Sequence, residues 1–224
     1  MDSCRKRIVD EYADCVVDVY RLSTGDQSAL KELLRTDVKT RDQVLTGPAL
    51  HRIIIEDPEM RKKAPLLYLF VEIYHQLRKK GLNSVEVADC VTAFMATFMF
   101  SMSWFRDPGM TTPVDYINRL IGQLQATKDA DTLYNTHLHI GFFILFLTGL
   151  LPEVVNNRHT GGEPDMALYE RIGATHFQYA EQVLTASGIN RSQPVQDLSK
   201  RFVDIRQALN ELQAAIISSI PSGK

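Results

Sequence analysis

Apolar residues recur at steps of three and four along nearly the whole chain, and no convincing stretch alternates apolar with polar positions. That period is the helical one, so the chain is expected to be all-α. Ile8, Tyr12, Cys15, Val16, Val19 and Leu22 form a first stripe that ends before Thr24-Gly25. A shorter helix carries Leu30, Leu33 and Leu34, and Pro48 opens another with Leu50, Ile53 and Ile54. Asp57-Pro58-Glu59 reads as a cap followed by a first-turn proline and acid, starting a helix that Pro65 interrupts. Leu66 to Lys80 follow, closed by Gly81, and Ser84 caps the next segment.

Two segments lack a polar face. Val87 to Phe105 is apolar almost all round, and the stretch Thr136 to Val154, "THLHIGFFILFLTGLLPEV", contains an unbroken run ended by Pro152. Helices around residues 87–105 and 131–150 are therefore expected at the centre as a buried pair. The run from Ile140 to Leu151 spans roughly 18 Å as a helix, too short for a hydrocarbon layer near 30 Å, so no membrane span is expected. Arg106 to Pro113 reads as a loop, and Thr112-Pro113 restarts a helix through Ile117, Leu120, Ile121 and Leu124. Asn156 to Pro164 reads as a polar loop, Asp165 to Ala186 as a long helix, and a last helix begins near Pro194. The expectation is one domain over residues 1–224, a multi-helix bundle of about eight or nine helices.

The last helix has the strictest pattern. Val195, Leu198, Phe202, Ile205, Leu209, Leu212 and Ile216 alternate steps of three and four, a heptad seam about three repeats long. The flanking positions lack the complementary charges that select a coiled-coil partner, which favours packing within the chain. The seam is nevertheless the first candidate surface for a homo-oligomer or a protein partner.

Composition adds mainly exclusions. With 45% hydrophobic and 23% charged residues the chain is of ordinary globular type. A net charge of -2 and the lack of a basic recognition helix argue against nucleic acid. Three cysteines without CxxC spacing, and an N-terminus without an apolar signal region, point to the cytoplasm.

Chemistry is sparse. No two of the six histidines stand at i,i+4. His137 and His139 point about 200° apart on a helix and cannot share an ion, so each needs its own backbone or Tyr partner. Glu72 and His75 make one E-x-x-H, the half-motif of a di-iron bundle, without the second that a full site needs. No metal or cofactor is expected from this; the alternative is iron or haem, with Glu72, His75, His137 and His176 as the ligands to watch. Nucleophile elbows and phosphate-binding glycine loops are missing from the sequence. Gly141, Gly149 and Gly173 stand inside apolar helices at a cost of about 1 kcal/mol each. Close helix crossing would offset that cost, as would a pocket over bare backbone. Tyr169, Gly173, His176 and Ala180 share one face, where Tyr169 and His176 would supply the polar contacts of a pocket.

Phe146-Leu147-Thr148-Gly149-Leu150-Leu151-Pro152-Glu153, followed by Tyr169-x-x-x-Gly173-x-x-x-Phe177, resembles a pattern in uncharacterised bacterial all-α proteins, where the position of Phe177 is more often Tyr. The resemblance implies no activity; it suggests that the Pro-Glu turn and the Tyr/Gly helix form one unit. Glu153 would cap the following turn or pair with Arg158, with a catalytic role as the lesser reading. The sequence thus favours a non-enzymatic helical protein acting through protein-protein interaction or self-association. The alternative is an iron-, haem- or small-molecule-binding enzyme that uses Glu72 and His75 or the Tyr169/His176 face.

Overall fold

The computed structural model describes residues 3–57, 59–101, 112–159, 162–188 and 193–218, and among them it is helical throughout, with no strand. The chain is an all-α, multi-helix protein. Its contacts divide it into two compact units, one of residues 1–96 with 216–224 and one of residues 97–215.

The first unit contains α1 (Cys4–Asp18), α2 (Thr24–Thr36), α3 (Val38–Leu45), α4 (Pro48–Glu56), α5 (Met60–Lys63), α6 (Pro65–Lys79) and the larger part of α7 (Val85–Ser101). Local chemistry sets most of these boundaries. The Ser23 hydroxyl accepts from the Asp26 N–H, and Asp37 accepts from the N–H groups of Lys39 and Thr40, so side chains satisfy the free donors of α2 and α3. Pro48 and Pro65 occupy first-turn positions where no N–H is needed. Pro65 therefore starts α6 and does not interrupt an earlier helix, which reduces the segment before it to the single turn of α5; Pro58 lies outside the described residues. At the far end Gly81, with φ of 77°, donates to Arg78 O while Leu82 donates to Leu77 O, a left-handed cap that closes α6.

The centre of this unit is α6, where every residue from 66 to 77 is buried. The sequence disguised this because Tyr68, Glu72, Tyr74, His75 and Gln76 interrupt its apolar run. The other expected centre, α7, buries Val87, Ala88, Val91, Thr92, Met95 and Ala96 but exposes Thr97. Its low polarity therefore overstated its burial. The expected end of that helix at Phe105 and most of the loop after it lie outside the described residues. The first stripe also ends earlier than expected: α1 stops at Asp18, Leu22 is exposed, and Thr24-Gly25 belongs to the first turn of α2.

The second unit holds the last turn of α7, then α8 (Pro113–Ala126), α9 (Ala130–Leu150), α10 (Pro152–His159), α11 (Met166–Ala186), α12 (Gln193–Lys200) and α13 (Phe202–Ser218). Thr112 and Asp115 form a reciprocal capping box on α8, while Asp129 and Asp165 accept from the N–H groups of Thr132 and Leu168 to open α9 and α11. Because Asp129 sets its start, α9 is 21 residues long, about 31 Å, with residues 140–150 all buried. The whole helix is thus longer than the apolar run on which the length argument rests. By length and composition α9 is the one described helix that could cross a bilayer, and most of it is buried within the protein.

Among the described residues there are thirteen helices, slightly more than the expected eight or nine. Asn156 to His159 continue α10 where a loop was expected, and the last helix divides at Arg201 into α12 and α13. The division is slight, since Arg201 N–H reaches Asp197 O at 2.9 Å and Ile205 N–H reaches Arg201 O at 3.0 Å. Val195, Leu198, Phe202, Ile205, Leu209 and Leu212 stay in line and are all buried within the chain; the side chain of Ile216 lies outside the described residues.

The helix glycines mark the crossings in this unit. A Cβ on Gly173 would stand 2.6 Å from the Phe202 ring, and one on Gly141 2.7 Å from the Phe177 ring. Gly149 is equally close to Leu209, so the three glycines admit side chains of neighbouring helices. Where α9 ends, Asn210 donates from Nδ2 to Thr148 O (3.1 Å) and Gly149 O (2.6 Å), two carbonyls that the helix itself cannot satisfy.

Candidate functional site

Helices α8 and α11, with Pro164, line a half-open cavity of about 530 Å³ in the second unit. Its wall is mostly apolar, with Ile117 and Ile121 from α8 and Ile172 from α11, interrupted by Asn118, Thr175, Tyr169, His176 and Arg171. Tyr169 is only 2% exposed, yet its hydroxyl makes no hydrogen bond among the described residues. Burial, helped by the Glu163 charge and opposed by Arg158, pushes this phenol up to about 12, so it remains a proton donor at ordinary pH. Tyr169, Gly173, His176 and Ala180 are all buried along α11, and of these Tyr169 and His176 line the cavity. Gly173, however, is filled by Phe202 and lines no pocket wall.

His176 is held from across the helix crossing. Its Nδ1 lies 2.9 Å from Nδ1 of His137 on α9, so one imidazole donates and the other accepts. Burial and the neighbouring His137 push His176 down to about 4, and burial alone lowers His137. His139, two residues on, points elsewhere and pairs its Nε2 with the Tyr116 hydroxyl of α8 at 2.8 Å. The two histidines thus have separate partners, as their spacing required.

Glu72 and His75 belong to the first unit, His137 and His176 to the second. They gather one residue that the sequence reading missed, His51 of α4, whose Nε2 lies 3.2 Å from Glu72 Oε1. Burial raises the Glu72 carboxyl, but the imidazole of His51 beside it, with Gln76, outweighs that and leaves the group below its ordinary range. His75 is pushed down to about 4 by burial and by His51. The His51 and His75 rings are stacked, centroids 3.6 Å apart and planes within 14°. An imidazole directs its lone pair within its ring plane, so two rings in parallel planes cannot both address one ion. Among the described residues no three His, Cys, Asp or Glu side chains form a metal cage.

Glu153 does not reach Arg158. It is exposed and accepts from Gln213 Nε2 at 3.3 and 3.5 Å, while Arg158 donates to Glu163 at 3.0 Å across the turn that follows α10.

No known family, curated protein or solved structure matches this chain. The meaning of the Pro-Glu and Tyr/Gly pattern therefore rests on where its residues sit. Sequence reasoning also missed Tyr116 and Asn210. Neither lies in a motif, and each acts across a helix crossing that sequence spacing does not encode.

Proposed function

We propose that this protein binds an apolar small molecule in the cavity between α8 and α11, with Tyr169 and His176 as polar contacts. The observation that carries the reading is the Tyr169 hydroxyl, buried at the wall of an apolar cavity and free of any hydrogen bond among the described residues. The oxygen meets the cavity with no protein partner among those residues, so a ligand acceptor there would add one hydrogen bond, about 0.5–1.5 kcal/mol. The volume suits a small ligand, for which cavities of roughly 300–1,000 Å³ are usual. The heptad residues first considered for a partner are engaged inside the chain, whereas this cavity is open.

Fluorescence titration with the neutral apolar dye Nile red tests the reading. Saturable binding is expected in the native chain and its loss in Ile172→Trp, where the indole fills the cavity. A variant that melts like the native protein and still binds the dye equally well would refute the assignment.

A further inference from the structure

The head group of the ligand can be narrowed further, on the footing that the cavity is a binding site. A second, more polar cleft of about 510 Å³ adjoins it and shares Pro164 and Arg171. The other charged or titratable groups of that cleft are already committed. Glu163 accepts from Arg158, His159 Nδ1 meets Glu163 O at 3.1 Å, and Asp165 caps α11 through the Leu168 N–H at 2.7 Å. Arg171 is different: it stands exposed where the two cavities meet and makes no hydrogen bond or ion pair among the described residues.

We infer that the ligand is an apolar carboxylic acid, with its carboxylate on Arg171 at the junction and its body across Ile172 toward Tyr169 and His176. Helix geometry gives this orientation. Residues 169 and 171 lie about 200° apart around α11, so Tyr169 and Arg171 occupy opposite margins of the cavity, with Ile172 and Thr175 between them. One head group cannot touch both, and a molecule that satisfies both must lie across the apolar wall. The head carries a single charge. A guanidinium matches the two oxygens of a carboxylate, while Asp165 and Glu163 on the cleft side repel a doubly charged group such as a phosphate monoester.

Calorimetric titration of the full chain with decanoate, decanol, decylamine and decyl phosphate separates the outcomes. Decanoate is expected to bind roughly fivefold tighter than decanol, the scale of one partly exposed ion pair, with decylamine weakest. Arg171→Gln should erase the advantage of decanoate and leave decanol unchanged, and Ile172→Trp should abolish binding of both. Equal affinity for decanoate and decanol, an advantage that survives Arg171→Gln, or tighter binding of decyl phosphate would overturn the carboxylate assignment while leaving the cavity reading intact. If none of the four compounds binds the native chain, the cavity reading itself fails, and this inference with it.

Discussion

His137 on α9 and His176 on α11 meet through their Nδ1 atoms at 2.9 Å, and both are disfavoured as cations by burial. The bond needs one lone pair and one N–H, so it survives one protonation and breaks on the second. Stability follows from the sign of the shift. The folded value of His176, about 4, lies below the unfolded value near 6.5, so its contribution is complete above pH 6.5 and is lost as pH falls toward 4. Between pH 7.5 and pH 5 the native chain is expected to lose about 1–2 kcal/mol through this residue, allowing for solvent screening. Urea unfolding at both pH values checks it: His176→Gln should show a smaller loss than the native chain, and an equal loss would remove His176 as the cause.

Tyr169→Phe separates binding from stability. Because the hydroxyl bonds to nothing among the described residues, its removal should leave the melting temperature within about 2 °C of the native value. Ligand affinity should fall roughly three- to tenfold, the value of one hydrogen bond. A marked drop in melting temperature would show that the hydroxyl has a structural partner.

Gly173→Ala should destabilise despite the better helix propensity of alanine. Its Cβ would meet the Phe202 ring at 2.6 Å and Ile144 at 3.1 Å, and overpacking of this kind costs about 1–3 kcal/mol against a propensity gain of about 1 kcal/mol. Phe202→Leu in the same chain should recover part of the loss. Thermal melts of both variants decide it, and a Gly173→Ala protein of native stability would disprove the crossing described for α11 and α13.

His51→Ala leaves the Glu72 carboxylate buried without its imidazole, at an expected cost of about 2–4 kcal/mol. With Glu72→Gln already present the same substitution should cost much less. A double-mutant cycle by chemical denaturation measures the coupling, and a value near zero would mean that the pair contributes nothing.

Features that depend on spacing along one helix were legible in the sequence. The heptad line from Val195 to Leu212, the glycines at crossings and the shared face of Tyr169 and His176 all follow from a period of 3.6. Features that depend on which helix meets which were not. His51 reaches Glu72 from a separate helix, Tyr116 reaches His139, and Asn210 reaches the end of α9. Nothing in the spacing of those residues announces a partner. The misplaced boundaries have a local cause, since Pro65 and Pro152 each permit a helix to begin where apolar periodicity alone shows no edge.

The two walls of the cavity are not equally firm. On one side α11 is keyed into α9 by the Phe177 ring over Gly141 and makes far more extensive contact with it than α8 does. The opposite wall, α8, rests on α9 through Tyr116, which combines a hydrogen bond to His139 with ring contact to Phe143. On the proposed binding reading, a guest larger than the empty space should displace α8 and leave α11 in place, with the Tyr116–His139 bond setting how wide a molecule fits.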